Sequence, residues 1–120
     1  MKILIADDSR VMRQIIIRTL RQAGFGGHEV VEAADGELAL KAALTEEPDL
    51  ILSDWNMPNL TGIELLRELR GMGVAAPFGF VTSEGTLEMR QTAIEAGALF
   101  LMSKPFTEDT FRDELAPILG

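Results

Sequence analysis

The run Asp49-Leu50-Ile51-Leu52-Ser53 follows Pro48 and stops at Asp54-Trp55-Asn56-Met57-Pro58. Its aliphatic centre shows no alternation of apolar and polar residues, the pattern of a strand covered on both faces. Such a strand belongs to a parallel sheet with helices on either side. Working outward, further short apolar runs predict strands near residues 2–6, 28–32, 77–82 and 98–102, with 49–53 as the third strand in chain order. Helical patterns separate them. Strand and helix alternating along the whole chain signal an α/β fold with a parallel sheet.

The helices carry their own start and stop signals. Ser9 precedes a pattern of Met12, Ile15, Ile16, Leu20 and Ala23 that Gly24 is expected to stop. Asp35 can cap a Leu- and Ala-rich helix running through Leu44. Thr61 and Glu64 have the spacing of a capping box before Leu65, Leu66 and Leu69, and Gly71 ends that helix. Thr86 can open a fourth helix, and Thr107 a fifth, on which Phe111, Leu115 and Ile118 share a face. Pro117 is expected to fray the last turn, because its ring clashes with the carbonyl four residues back. Gly79, inside an apolar strand, predicts close packing at that point.

In an open parallel sheet the strand C-termini share one edge, where ligands bind. Here those ends deliver Asp7 and Asp8, Asp54, Thr82 and Lys104. Three carboxylates crowded together resist ionisation unless a cation joins them. Mg²⁺ suits such a site, being a hard ion held by carboxylates, waters and phosphate oxygens. Lys104 closes a core strand and requires a partner for its charge. An ammonium against an anion at contact is worth about 4 kcal/mol at an effective dielectric near 20. Thr82 adds a hydroxyl donor, and one acid can attack phosphorus. The set fits a divalent cation and a phosphoryl group. Ser9 is the better helix cap, which is expected to leave the carboxylates of Asp7 and Asp8 free.

Composition narrows the classes further. At 120 residues, 47% hydrophobic and 25% charged, the chain has the profile of one soluble globular domain. The absence of cysteine excludes disulfides and thiolate metal sites, and the single histidine, His28, excludes a His-rich zinc site. A net charge of −8 argues against direct nucleic-acid binding. No apolar run nears the roughly 18 residues needed for membrane insertion, and no signal peptide is visible, so a cytoplasmic location is expected.

The chain resembles the receiver domains of two-component response regulators, of the stand-alone chemotaxis type. Ser53-Asp54-Trp55-Asn56-Met57-Pro58-Asn59 with Gly62 carries the resemblance, joined by Asp7-Asp8, Thr82 and Lys104-Pro105-Phe106 in the family's order and spacing. The resemblance implies a doubly wound five-stranded parallel sheet with five helices, in the flavodoxin-like order 2-1-3-4-5. It implies one receiver domain over residues 1–120, a monomer with no effector domain. Asp54 would accept a phosphoryl group from a sensor histidine kinase or a histidine phosphotransfer protein. Asp8, Asp54 and the backbone carbonyl of Asn56 would coordinate Mg²⁺, with Asp7 acting through water. Thr82 and Lys104 would contact the phosphoryl oxygens, and the bond before Pro105 would be cis. Asn56 and Glu84 would flank the water that hydrolyses the acyl phosphate and so set the signal's lifetime. The output would be a protein contact on the face formed by the fourth helix, fifth strand and fifth helix.

This chain departs from the family at the switch residue, usually Tyr or Phe three positions before the lysine. Here it is Leu101, and strand periodicity turns its neighbour Phe100 to the opposite face. Ser83, where a small apolar residue is common, is a milder departure. Arg10, Arg13, Arg18 and Arg21 read as a solvated face of the first helix, where the resemblance implies kinase docking, and His28 as a surface residue rather than a ligand. Alternatives within signalling are a phosphorelay intermediate or a receiver cut from a longer regulator. A small aspartyl-nucleophile phosphohydrolase usually spaces its first acids as Asp-x-Asp, and 120 residues leave no room for a substrate cap. A flavin carrier needs a phosphate-cradling loop after the first strand, where Asp7-Asp8 would repel the phosphate.

Overall fold

Leu50, Ile51 and Leu52 lie at the centre of a five-stranded sheet with no exposure to solvent beyond 1%. The computed structural model describes residues 1–119. Strands β1 (Lys2–Ala6), β2 (Glu29–Ala33), β3 (Leu50–Ser53), β4 (Phe78–Thr82) and β5 (Phe100–Ser103) alternate with helices α1 (Arg10–Leu20), α2 (Gly36–Glu46), α3 (Gly62–Gly71), α4 (Leu87–Ala96) and α5 (Glu108–Leu119). All neighbouring strands are parallel, in the order β2-β1-β3-β4-β5. This is the doubly wound, flavodoxin-like arrangement, with its order reversing between β1 and β3.

Period-two alternation distributes the strand residues between two cores. Leu4, Ile51, Phe78, Phe80 and Leu101 pack with the apolar faces of α2, α3 and α4. Ile3, Ile5, Leu50, Leu52, Val81, Phe100 and Met102 pack with Ile16 and Leu20 of α1 and Phe111 and Leu115 of α5. Each such side chain, fully buried, contributes about 1.5–3 kcal/mol, so both sheet faces are strongly held. Gly79 faces the ring of Phe100, its register partner on β5, and a Cβ there would collide with it. The close packing expected at Gly79 is present.

Two local expectations are revised, and the stop expected at Gly24 is present: past the regular turns of α1, which end at Leu20, a wider turn leads into Gly24, whose φ of 100° breaks the helix. Helix α5 continues through Pro117 to Leu119 rather than fraying there. Ile118 and Leu119 pack against the second core, which holds the last turn despite the missing N–H. His28 is half-buried rather than a surface residue: it packs beside Phe25, and its Nδ1 meets no hydrogen-bond partner among the described residues. Among the described residues no helix is long and apolar enough to cross a membrane.

Candidate functional site

The strand ladder fixes the site before any side chain is considered. Ala6 pairs with Ala33 of β2 and Ser53 of β3, so β1 and β3 end level with each other. The ladder then runs one residue further: Asp7 N–H donates to the Ala33 carbonyl at 3.1 Å, and Asp54 N–H to the Ala6 carbonyl at 2.8 Å. At the other side, Lys104 N–H donates to the Thr82 carbonyl at 2.7 Å. Three of the candidate residues are thus held by main-chain bonds, and the order of the sheet reverses between the strands that end in Asp7 and Asp54.

The side chains converge as their positions require. Lys104 Nζ lies 3.2 Å from Asp7 Oδ2 and 3.7 Å from Asp54 Oδ2, with only 15% of its side chain exposed. Its charge has the partners a buried ammonium needs. Carboxylate oxygens of Asp7, Asp8 and Asp54 all lie within 4.8 Å of one another. The expectation that both adjacent acids are free holds for Asp8, which is exposed, but not for Asp7. Asp7 is 1% exposed, and its other oxygen accepts from Ser9 N–H at 2.9 Å. Ser9 itself caps α1 by accepting from Met12 N–H. One carboxylate therefore orders the turn that carries the cap.

The electrostatics leave the cluster short of positive charge. Burial raises the Asp54 pKa above its ordinary 3.8; Lys104 opposes this, Asp7 raises it further, the Trp55 N–H lowers it, and Asp8 raises it. Three acids face one ammonium, so the site retains an excess of negative charge. Mg²⁺ holds oxygen ligands at about 2.1 Å, so two opposed ligands stand about 4.2 Å apart. Oxygens of the three acids lie within 4.8 Å of one another, on the scale of that span, and the all-oxygen donor set suits a hard dication.

The loops supply the surroundings. Asn56 Nδ2 and Glu84 Oε1 meet at 3.4 Å, joining two residues that the sequence placed on separate loops. Thr82 is fully buried, and its hydroxyl accepts from Glu84 N–H at 3.3 Å. Trp55 packs on Phe80 with ring centroids 4.8 Å apart. Leu101 is 2% exposed, on the same face as Phe80, and lies beneath Gly85 in the loop after β4. The Lys104–Pro105 peptide is cis.

Arg13 is the residue the sequence misassigned, having been grouped with the solvated arginines of α1. It donates to the Asp7 carbonyl at 2.7 Å and to Glu32 at 2.9 Å, bracing the end of β1 against β2. The available signal was its place six residues after Asp7, on the first turn of a helix that leaves the same strand end. Arg10, Arg18 and Arg21 are exposed as expected.

Comparison with known proteins agrees with this geometry. The profile of the response regulator receiver domain matches residues 3–116. Chemotaxis protein CheY1 of Helicobacter pylori is 34% identical over 123 residues, covering 100% of this chain and 98% of that protein. Chemotaxis protein CheY-3 of Vibrio cholerae is 38% identical over 120 residues, covering 98% and 91% respectively. The solved structure of the chemotaxis response regulator CheY4 of Vibrio cholerae superposes with a TM-score of 0.84 at 36% identity, covering 98% of this chain and 97% of that one. With the matched profile spanning nearly the whole chain and both sheet order and acidic edge in place, the chain belongs to the response regulator receiver domain family.

Proposed function

We propose that this receiver domain is a phosphorylation-dependent switch of a chemotaxis-type two-component system, with Asp54 as the phosphoryl acceptor. The observation that carries the reading is Lys104 held between Asp7 and Asp54 at the acidic edge where the sheet order reverses. The names of the curated relatives support chemotaxis as the setting.

Asp54 Oδ attacks the phosphorus of a phosphohistidine; the new O–P bond forms as the P–N bond breaks, and the imidazole leaves with that electron pair. Asp8, Asp54 and the Asn56 carbonyl would hold Mg²⁺, with Asp7 acting through water. When bound, Mg²⁺ neutralises the carboxylates and the incoming phosphoryl oxygens. Lys104 is placed to follow the phosphoryl group with its ammonium, and the Thr82 hydroxyl to turn toward it from its present bond with Glu84. Asn56 and Glu84, already in contact, orient the water whose attack on phosphorus returns the carboxylate and releases phosphate. The output face is formed by α4, β5 and α5, where Leu87 and Ile94 are exposed. The domain is read as cytoplasmic and monomeric.

The test is labelling with phosphoramidate and Mg²⁺, read by intact mass. One hydroxylamine-sensitive phosphoryl group is expected on the wild-type protein and none on Asp54→Asn. Labelling of that variant to the wild-type extent overturns the assignment, and steady turnover of small phosphomonoesters would point instead to a phosphohydrolase.

A further inference from the structure

The loop from Asp54 to Gly62 carries Trp55 and Asn56, yet its middle has no regular structure of its own. One end is closed by Gly62 N–H donating to the Trp55 carbonyl at 2.7 Å and by the Thr61–Glu64 capping box. Met57 pins its apolar side to the core. The polar side rests on the start of α2, an element no functional residue occupies.

Asp35 makes that contact by dividing its carboxylate. Oδ1 accepts from Leu38 N–H at 2.8 Å and caps α2, while Oδ2 accepts from Asn59 Nδ2 at 3.2 Å. Asn59 stands at φ 70°, a left-handed conformation that asparagine tolerates better than most residues. Beside it, Gly36 N–H donates to the Pro58 carbonyl at 3.3 Å. A Cβ at Gly36 would collide with the Leu60 carbonyl oxygen, so only glycine lets the loop lie this close. The backbone bond, the amide bridge and the close approach of Gly36 together tie Pro58, Asn59 and Leu60 to one helix end. Asn56 is exposed, and its side chain has only the 3.4 Å contact with Glu84, so its main chain is held through the loop: by the Trp55–Gly62 bond and buried Met57 on either side, and by this support beyond them.

We infer that Asp35 and Asn59 form a clasp that positions the Asp54–Asn56 segment for cation binding, making Asp35 a positioning residue of the acidic site. The inference rests on the proposed use of Asp54 and the Asn56 carbonyl.

Four variants separate the clasp from helix capping and from loop strain. Asp35→Ser keeps a cap but cannot reach Asn59; Asn59→Gly keeps the left-handed conformation but has no amide. The third combines both changes. Asp35→Asn caps equally well and can bridge again once the Asn59 amide turns over. Mg²⁺ titration followed by Trp55 emission should show binding weakened roughly three- to tenfold in each of the first two. The double variant should be no weaker than the worse single one, because one bond is removed by either route. Asp35→Asn should lie within about twofold of wild type. In the metal-free protein, the Gly36 amide should exchange faster in Asp35→Ser and Asn59→Gly, and at the wild-type rate in Asp35→Asn. Wild-type affinity and wild-type Gly36 exchange in both single variants would overturn the clasp, as would additive losses in the double variant. If the wild-type protein itself shows no Mg²⁺ response, the proposed function fails, and the exchange rates alone decide the clasp.

Discussion

Asp54 is a residue whose chemistry works against the stability of the fold that presents it. Burial, with help from Asp7 and Asp8 and against Lys104 and Trp55 N–H, raises its pKa in the metal-free protein. A carboxyl with a raised folded-state pKa contributes its stability below the unfolded value near 3.8 and loses it as pH rises through the folded value. Asp54→Asn should therefore raise the urea midpoint near neutral pH without metal, and that gain should shrink at about pH 4 and below. Midpoints at the two pH values check this, and an equal gain at both would show that burial of the charge is not the cause. Lys104 acts in the opposite sense. Lys104→Met leaves Asp7 and Asp54 facing each other without their cation, and should cost about 3 kcal/mol near neutral pH. Mg²⁺ should recover part of that loss, which unfolding with and without the ion would measure. The sequence carried the identities of these residues and their strand-end positions. It did not carry the double occupation of Asp7, because Ser9 N–H and Lys104 Nζ approach from a turn and from a strand three places away in the sheet.

At the scale of the element, helix starts were legible because capping is a local interaction. Ser9, Asp35, Thr61 and Thr86 each accept from the backbone N–H three residues on. Helix ends were less so. The persistence of α5 beyond Pro117 depends on packing: Ile118 and Leu119 join the same core as Phe25. Phe111, fully buried between α5 and the sheet, anchors this region. Phe111→Ala should destabilise by about 3–5 kcal/mol, through lost burial and the cavity left behind. Pro117→Ala should stabilise by on the order of 1 kcal/mol, since an exposed alanine restores an N–H to the last turn. Urea unfolding of the two variants measures both effects. A neutral Phe111→Ala would mean that α5 is held elsewhere.

For the whole molecule, the proposed phosphorylation of Asp54 has to reach a surface. Phosphorylation shifts a two-state surface only by its different interaction with the two states, typically about 1–3 kcal/mol. Helix α4 is suited to move, since Ala93 is its one buried residue while Leu87 and Ile94 are exposed. Its C-terminal end is pinned, with Arg70 donating to the Gly97, Val74 and Ala76 carbonyls. Its N-terminal end joins Thr82 through the exposed residues Ser83–Thr86. Leu101 is already buried beneath Gly85, with no polar tip to favour an outward position. Amide shifts on adding beryllofluoride with Mg²⁺ should therefore concentrate at residues 82–90 and remain small at Leu101. Large shifts centred on Leu101 would show that leucine replaces the family's aromatic switch outright.

Patterning alone determined the alternation of elements, the parallel sheet and the set of residues at its C-terminal edge, because period and composition report burial directly. Resemblance added the strand order, which the fold shows, and the roles proposed for Asp54, Thr82 and Lys104. What only the tertiary structure decided are the contacts between segments distant in the chain: Arg13 on the Asp7 carbonyl and Glu32, Asn56 on Glu84, Asp35 on Asn59, and the ring of Phe100 over Gly79. Each depends on strand register and loop path; a shift of one residue would turn Glu32 and Phe100 to the other face of the sheet and displace the loops that carry the rest. Local sequence specifies which groups can bond, and the register of the folded sheet selects the partners they meet.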